Sequence, residues 1–403
     1  MSLKILNFLA KYVYKKYNPQ LILITGSSGK TLTLETIKRF LKNKKNIFAT
    51  KYHKDHILSI SLTLILEDKY NLFINILKAL KLLLLKNKHY PEIIILEFRL
   101  EKPKITDYWL DILKIDYLII TSIGKIPPYS EIFGSPENLK NKYLKIAEKL
   151  NEGSVFITNG DDLSCLDIYE KAGGSLKILF GLNNDNDITA KDIKIICDID
   201  SIPSTCGTYF SLENRETTKR IFLRNLFGKH IIYSSLAAYS LLTNMGFNPN
   251  EITDYFEKFS GVKHRSMLIK SKNGFYILDN SYHLTLESFY ENMEIFKQIP
   301  AKRKIIVIGD MLSLGKYAFE IHQEIGKNII NVCDFIIGFG IKSKFTLESA
   351  INYGFNPEKT KHFFHNELNK LKEFLLDFLE NEDLILITGD KNLNLHLLVD
   401  YLS

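Results

Sequence analysis

Cysteine, arginine and long apolar runs are all scarce in this 403-residue chain. Its four cysteines form no Cys-x-x-Cys pair and lie beside no histidine cluster, which argues for reduced thiols rather than a disulfide framework or a zinc site. No apolar run reaches the roughly 18 residues that a membrane-spanning helix needs. Only seven of the 53 basic residues are arginine, and the lysines are scattered, which argues against a nucleic-acid-binding stripe. We therefore expect a cytoplasmic protein that binds neither nucleic acid nor a bilayer core.

The remaining composition is that of an ordinary globular protein. Hydrophobic residues make up 45% and charged residues 25%, and the length predicts about two or three domains. The net charge of +7 is compatible with an acidic substrate such as a nucleotide. Residues 1–17 are basic and partly apolar at near-helical spacing. Because no small-residue cleavage site follows, they predict a short packed or interfacial helix rather than a signal peptide.

Strand and helix patterns alternate along the first half of the chain. Leu21–Thr25, Ile93–Glu97 and Tyr117–Thr121 are short apolar runs typical of buried strands, and Leu32–Leu41 has helical spacing. This alternation predicts an α/β domain with a mostly parallel sheet. Residues 185–225 contain short strand-like runs broken by Asp, Asn, Pro and Gly, and we interpret them as an antiparallel extension of the same domain.

The last third repeats the alternation in a smaller unit. Strand-like runs at Phe275–Leu278, Lys304–Ile308, Phe335–Gly338 and Leu384–Thr388 are separated by helical patterns, which predicts a Rossmann-like α/β domain. The predicted domains are a helical extension over 1–20, a P-loop ATP-binding domain over 21–262 and a C-terminal domain over 263–403.

The strongest local signal is a glycine-containing loop between a strand and a helix. Its six residues are Gly26, Ser27, Ser28, Gly29, Lys30 and Thr31. Such a loop points successive backbone N–H groups at phosphate oxygens, and the helix N-terminus adds positive potential. We expect the loop to bind ATP, with Lys30 reaching the β- and γ-phosphates and the Thr31 hydroxyl binding Mg²⁺. The full eight-residue pattern has Gly at the position of Ile24, so the local motif alone is less specific.

A carboxylate is expected to complete the metal site. Glu97 ends the apolar strand Ile93–Glu97, and the carboxyl ends of parallel strands are where α/β folds place ligand groups. Asp116 precedes its strand and therefore falls at the opposite edge. The sequence therefore favours Glu97 as the carboxylate that binds the same Mg²⁺ as Thr31.

The pattern continues beyond the loop in an ordered series of segments: 24–31, 121–124, 131–139, 153–162, 228–230, 265, 279–283 and 307–315. Taken in chain order, these segments resemble the Mur ligase family. The most specific is Val307-Ile-Gly-Asp-Met-Leu-Ser-Leu-Gly315, which is similar to the branch that adds D-alanyl-D-alanine to the muramyl tripeptide.

The resemblance implies ATP-dependent amide formation through an acyl phosphate, from a carboxylate-bearing acceptor and an amino acid or short peptide. It implies that Lys30, Glu97 and Arg265 are catalytic. It also implies that His230, Arg265 and Asp279 contact the nucleotide, with Ser234 in place of an adenine-side Asn. The C-terminal domain is expected to close over the nucleotide and exclude water, because an acyl phosphate hydrolyses easily.

Several positions depart from the family pattern. We expect the chain to lack the family's UDP-binding N-terminal domain, as does a family branch that makes poly-γ-glutamate. Archaeal pseudomurein peptide ligases are another relative to consider. The family's modified lysine falls at Tyr143, with Lys142 the nearest candidate for a metal-binding carbamate. The residues expected to contact the substrate are Thr50, Asp55, His56 and His283. Asp55, His56 and His283 stand where the family has other polar residues, so the specificity is expected to differ.

Two other functions stay open at this stage. In the family, the modified lysine helps to hold a second Mg²⁺, and a non-catalytic ATP-binding partner subunit would explain why that lysine is not matched. A P-loop small-molecule kinase would use the same loop. The sequence does not indicate the oligomeric state. His322 is expected to be a structural helix residue and Trp109 a packing residue.

Overall fold

The computed structural model describes residues 2–51, 56–100, 103–125, 127, 130–173, 176–197, 205–215, 217–282, 284 and 286–403. The chain forms two compact units. Unit 1 comprises Met1–Ala190, Glu213–Thr217 and Tyr233–Tyr255, and unit 2 comprises Lys191–Leu212, Thr218–Ile232 and Phe256–Ser403.

Unit 1 begins with a helix and then alternates strands with helices. Its strands are β1 (Gln20–Thr25), β2 (Ile47–Ala49), β3 (Ile93–Glu97), β4 (Tyr117–Ile120), β5 (Val155–Asn159) and β6 (Leu176–Gly181). Its helices are α1 (Ser2–Tyr17), α2 (Lys30–Leu41), α3 (His56–Leu64), α4 (Leu72–Leu84), α5 (Pro103–Leu110), α6 (Pro136–Ala147) and α7 (Leu163–Lys171). Residues of both units occur in β7 (Ile188–Ile196), α8 (Lys229–Asn244) and α9 (Pro249–Lys258).

Strand β1 lies at the centre of the parallel part of the first sheet. With β8 (Gly207–Glu213) and β9 (Thr218–Arg224), the strand order is β2-β3-β1-β4-β5-β6-β7-β8-β9. β1 pairs in parallel with β3 on one side and β4 on the other, with Ile24 opposite Glu97 and Thr25 opposite Ile120. Because the chain connections diverge on either side of β1, its carboxyl end opens on the crevice where α/β sheets usually bind ligands.

The apolar runs of the sequence become the buried centre of this sheet. Leu21–Ile24 of β1 are fully buried, as are most residues of β3 and β4. Parallel strands covered on both faces read as continuous apolar runs for this reason. Each buried Leu or Ile contributes about 1.5–3 kcal/mol relative to exposure. Trp109 of α5 is also fully buried, in agreement with the packing role expected for it.

Unit 2 contains a second, smaller sheet. Its strands are β10 (Met267–Lys270), β11 (Tyr276–Asn280), β12 (Lys304–Gly309), β13 (Phe335–Phe339), β14 (Thr360–Phe363) and β15 (Leu384–Thr388), in the order β10-β11-β15-β12-β13-β14. All are parallel except β10, which is antiparallel to β11. Its helices are α10 (Leu286–Gln298), α11 (Ala318–Ile329), α12 (Ser343–Asn352), α13 (Leu368–Phe378) and α14 (His396–Leu402). The expected α/β class with two sheet-containing parts is confirmed.

His322 of α11 is one of the buried polar residues of unit 2. Its Nε2 accepts a hydrogen bond from the Met311 N–H at 3.2 Å, and its Nδ1 lies 2.8 Å from the Thr346 hydroxyl. Burial lowers the pKa of His322 to about 4, so the ring is neutral near pH 7. With Nε2 as acceptor, Nδ1 carries the proton and donates to Thr346.

The prediction of an antiparallel extension after β6 is wrong at its first strand. β7 pairs with β6 in parallel, with Phe180 opposite Ile188 and Gly181 opposite Thr189. Only these two pairs form, because β7 starts beside the end of β6 and continues beyond it instead of folding back. The domain boundary expected at residue 262 stays a prediction.

Among the described residues, no helix is long and apolar enough to cross a membrane.

Candidate active site

The glycine-containing loop connects β1 to α2 at the carboxyl edge of the first sheet. Gly26 and Gly29 have φ values of +131° and +79°, and residues with a Cβ rarely adopt such backbone angles. A Cβ at Gly26 would lie 2.5 Å from the Thr121 Oγ1 and 2.7 Å from the Ser122 carbonyl oxygen. The chain therefore needs glycine at 26 both for its backbone angle and for its close packing against the end of β4.

The residues that follow β4 hold the loop in place. The Ser27 N–H donates to the Ser122 carbonyl at 2.6 Å, and the Ser27 hydroxyl donates to the Ile123 carbonyl at 2.7 Å. The Ser28 and Ser122 hydroxyls are 2.8 Å apart, and the Thr121 hydroxyl donates to the Ser28 carbonyl at 2.5 Å. These contacts fix the loop through residues far from it in the chain.

Lys30 begins α2 and returns over the loop. Its Nζ lies 2.6 Å from the Gly26 carbonyl oxygen and 2.9 Å from that of Ser27. The ammonium is therefore at the loop, as a phosphate-binding lysine must be. Its assignment to the β- and γ-phosphates stays a prediction.

Thr31 and Glu97 form the predicted hydroxyl–carboxylate pair. The Thr31 Oγ1 donates to the Glu97 Oε2 at 3.0 Å, although 66 residues separate them. Glu97 is only 8% exposed, and the Arg99 guanidinium contacts its Oε1 through Nε and an Nη at 2.7 Å each. This ion pair balances a buried negative charge that would otherwise be costly.

Thr50 lies directly beside Glu97. The Glu97 N–H donates to the Thr50 Oγ1 at 3.2 Å, and the Thr50 N–H donates to the Ile95 carbonyl at 2.9 Å. Asp116 lies at the other edge of the sheet, where its carboxylate accepts from the Leu21 N–H at 2.7 Å. The edge argument that favoured Glu97 over Asp116 therefore agrees with the structure.

Ser234 of α8 lies next to the second loop glycine. A Cβ at Gly29 would be 3.8 Å from the Ser234 Oγ. The Ser234 hydroxyl is buried, and within the described part of the chain it has no hydrogen-bond partner. A buried hydroxyl with an unused donor beside the loop fits a polar ligand there. The expected adenine-side role of Ser234 stays a prediction.

The acidic turn after β5 supports the segment that holds the loop. The Asp162 carboxylate accepts from the N–H groups of Ile123 and Gly124 at 2.7 and 2.8 Å through one oxygen. Through the other it caps α7, accepting from the Ser164 N–H at 2.9 Å. Asp161 accepts from the Tyr233 hydroxyl at 2.9 Å. The turn therefore ties β5, α7 and the end of β4 together.

The structure gives Tyr143 and Lys142 different surroundings. Tyr143 is buried near Ser27, and its burial raises the pKa of the phenol well above its usual range. The Lys142 ammonium pairs with both carboxylate oxygens of Asp107, at 2.9 and 3.0 Å. A carbamate on Lys142 would replace this attraction with repulsion, so its surroundings do not favour the modification. The metal role of Lys142 stays an untested prediction.

Within unit 2, Arg265 and Asp279 belong to one cluster. The Arg265 guanidinium carbon lies 5.4 Å from the centre of the Tyr282 ring. Asp279 is fully buried. One of its carboxylate oxygens lies 2.8 Å from the His264 Nδ1, and the other accepts a hydrogen bond from the Ser281 hydroxyl at 2.7 Å. Both Asp279 oxygens thus have partners inside unit 2, which gives Asp279 a role in orienting His264 besides the predicted nucleotide contact.

His230 is held near the start of α8. Its Nδ1 lies 2.9 Å from the Glu291 carboxylate, which also accepts from the His230 N–H at 3.2 Å. Three predicted substrate residues are not placed: Asp55 and His283 lie outside the described residues, and His56 is described only through its backbone at the start of α3.

Arg99, Thr121 and Asp162 were not among the predicted site residues. Arg99 could have been found, because it is one of only seven arginines and lies two residues after the expected metal carboxylate. Thr121 and Asp162 lie in segments 121–124 and 153–162, which carry the family resemblance, but their contacts depend on tertiary packing that no local pattern specifies.

The residues at the loop fit a magnesium–nucleotide complex. A threonine hydroxyl and a buried carboxylate are hard oxygen donors of the kind that Mg²⁺ prefers beside phosphates. Thr31 and Glu97 place two such donors within 3.0 Å of each other, with the Lys30 ammonium at the same loop.

Comparison with known proteins agrees with this geometry. Residues 24–242 match the Mur ligase middle domain. The chain is 26% identical over 381 residues to UDP-N-acetylmuramoyl-tripeptide--D-alanyl-D-alanine ligase of Haemophilus influenzae, covering 93% of this chain and 73% of that one. It is 25% identical over 403 residues to the Bacillus subtilis enzyme of the same name, covering 99% and 79%.

A solved structure shows the same fold. MurF ligase from Thermotoga maritima, in complex with ADP, superimposes with a TM-score of 0.77 at 20% sequence identity. The match covers 100% of this chain and 83% of that one. At this identity the likeness concerns the arrangement of strands and helices.

Proposed function

Because the chain belongs to the Mur ligase family, an ATP-dependent, ADP-forming group of amide ligases, we propose that it joins a short peptide to a carboxylate of a cell-wall precursor. The observation that carries the proposal is the Thr31–Glu97 pair at the loop, with Lys30 beside it. The names of the relatives support a muramyl-tripeptide carboxylate and D-alanyl-D-alanine as the first substrates to test.

The proposed reaction has two steps. A carboxylate oxygen attacks the γ-phosphorus of ATP, the bond from that phosphorus to the β,γ-bridging oxygen breaks, and ADP leaves. The amine then attacks the acyl carbon, the carbon–oxygen bond to phosphate breaks, and the amine loses a proton. The protein's contribution is to position the groups and to stabilise negative charge.

The residues of the loop have distinct parts in this reaction. The Lys30 ammonium and the loop N–H groups stabilise charge on the transferred phosphoryl group. Thr31 and Glu97 would hold Mg²⁺, which when bound offsets phosphate charge. Arg99 keeps the Glu97 carboxylate oriented toward the loop through its contact at 2.7 Å. Ser234 offers its hydroxyl to the nucleotide from the Gly29 side of the loop.

The test is ADP release in the presence of ATP, Mg²⁺, UDP-N-acetylmuramoyl-tripeptide and D-alanyl-D-alanine. We expect release to require both the carboxylate and the amine. Lys30→Ala should lower kcat by about a hundredfold or more, because a preorganised charge at the transition state is lost. Lys42→Ala, an exposed position at the other end of α2, is the matched control and should retain activity.

Three outcomes would contradict the proposal. The first is full turnover by Lys30→Ala. The second is a phosphorylated product that resists hydroxylamine, since hydroxylamine traps acyl phosphates and such a product would indicate a kinase. The third is ATP binding without ADP formation for any amine, which would indicate a non-catalytic subunit.

A further inference from the structure

Helices α1 and α4 of unit 1 lie side by side and expose large apolar side chains. The Lys16 Nζ of α1 donates to the carbonyl oxygens of Leu82 and Leu83 at 2.9 and 2.8 Å, and the Tyr17 hydroxyl donates to that of Leu82 at 3.0 Å. The ends of the two helices are therefore joined. We define the α1–α4 patch as the exposed residues Ile5, Phe8, Tyr12, Phe73, Leu77 and Leu84.

The exposed residues of α4 form a continuous stripe. Phe73, Leu77, Leu80 and Leu84 follow helical spacing and so lie on one side of the helix. Phe73 is 72% exposed and Leu84 is 81% exposed, while Ala79 on the opposite side is fully buried. A helix that is apolar on both sides is usually covered on both. In the described part of the chain, the outer side of α4 remains open to solvent.

The charge on the two helices has one sign. Neither helix contains Asp or Glu, whereas α1 carries four lysines and α4 carries two. Lys16 and Lys78 bond within unit 1, Lys78 to Glu67 at 2.7 Å. Lys4, Lys15 and Lys81 are exposed beside the apolar side chains. The α1–α4 patch therefore combines protruding apolar groups with flanking lysines, and its two helices contribute no acidic residue.

We propose that the α1–α4 patch binds the surface of an anionic phospholipid bilayer. Aromatic and leucine side chains would enter the boundary between headgroups and acyl chains, while the lysines contact lipid phosphates. A spanning arrangement does not fit, because no described helix is long and apolar enough to cross. The charge decides for a bilayer surface, because protruding apolar side chains flanked by lysines, with no Asp or Glu on either helix, complement anionic headgroups.

Vesicle sedimentation of the whole chain tests the proposal. We expect binding to vesicles of phosphatidylcholine mixed with phosphatidylglycerol, weak binding to phosphatidylcholine alone, and release as salt increases. The triple variant Phe73→Ser, Leu77→Ser, Leu84→Ser should lower partitioning by about tenfold or more, because it removes the inserted side chains. Lys81→Glu combined with Lys15→Glu should lower binding to the anionic vesicles alone.

Exposed apolar residues of unit 2 provide the matched control. Ile341 and Tyr353 are 60% and 54% exposed, so Ile341→Ser with Tyr353→Ser removes comparable surface. This variant should sediment like the unaltered chain. Circular dichroism and ADP release in solution should be unchanged in all variants, which separates loss of binding from loss of fold.

Three results would overturn the proposal. The first is that the chain sediments with no vesicle. The second is that it binds neutral and anionic vesicles equally. The third is that the chain binds no vesicle but self-associates, and that the triple variant loses this self-association. The last result, measured by light scattering after size-exclusion chromatography, would assign the α1–α4 patch to a second copy of the chain.

Discussion

At the end of β3, Glu97 is hydrogen-bonded to Thr31, Arg99 and Thr50. Its carboxylate accepts from Thr31 at one oxygen and from Arg99 at the other, and its backbone N–H donates to Thr50. The carboxylate is buried, so its orientation is set by these partners and not by water. A group fixed in this way can bind a cation with little reorganisation.

Glu97→Gln keeps the shape of the side chain and removes its charge. We expect kcat for ADP release to fall by about a hundredfold or more, and the Mg²⁺ concentration needed for half-maximal activity to rise, because an amide is a poorer ligand than a carboxylate. Steady-state assays across a Mg²⁺ series measure both quantities.

Glu92→Gln is the control for this prediction. Glu92 is exposed and precedes the same strand at its other end. It should leave both quantities unchanged. Equal activity of Glu97→Gln and the unaltered chain would remove Glu97 from the proposed metal site.

Among single residues, the sequence pointed to the groups whose chemistry has a fixed spacing, and their roles in the site stay predictions. Lys30 and Thr31 follow from the loop pattern, and Glu97 follows from its position at a strand end. Arg99 was missed because no motif demanded a counter-charge, although burying Glu97 requires one. Asp279 was assigned to the nucleotide, and only the structure reveals that both its oxygens have partners within unit 2.

Asp162 connects three elements through a single side chain. One oxygen caps α7, and the other accepts from the Ile123 and Gly124 N–H groups after β4. Helix capping and loop anchoring are thus separable by substitution, since Asn retains only one side-chain acceptor oxygen.

Asp162→Ala should destabilise the protein by about 2 kcal/mol, because it removes the cap and leaves two N–H groups without their acceptor. Asp162→Asn should cost about 1 kcal/mol, since Asn caps helices as well as Asp does. Urea unfolding monitored by circular dichroism measures both. Equal losses for the two variants would mean that the helix cap contributes nothing measurable beyond the loop contact.

The elements themselves were largely predictable from hydrophobic pattern. β1, β3, β4 and β15 begin and end within a residue of the expected positions, because buried parallel strands are apolar throughout. The orientation of β7 was not predictable. Its direction depends on pairing at the end of β6, and residues 182–187 contain Asn, Asp and Leu without a turn type that fixes a hairpin.

For the molecule as a whole, His322 links stability to pH. The pKa of His322 is lowered to about 4 in the folded state from an ordinary value of 6.5, because burial disfavours the charged ring. Below pH 6.5 the unfolded chain therefore binds a proton that the folded chain does not. The stability contributed by the neutral ring is complete above pH 6.5 and is lost as pH falls toward 4.

Between pH 7 and pH 5, this single group should lower the free energy of unfolding by about 2 kcal/mol. The measurement is urea unfolding at both pH values for the unaltered chain and for His322→Asn, which cannot titrate. The variant should be less stable at pH 7 but should lose about 2 kcal/mol less on acidification. His365→Asn, at an exposed position, should behave like the unaltered chain.

The hydrogen bonds between the phosphate loop and the end of β4 have a genetic consequence. Ser27 and Ile123 are 96 residues apart in sequence yet directly bonded. In a random-mutagenesis library scored for nucleotide binding, intolerant codons should therefore cluster in two separate stretches, around 26–31 and around 121–123. Second-site suppressors of damage in one stretch should map to the other.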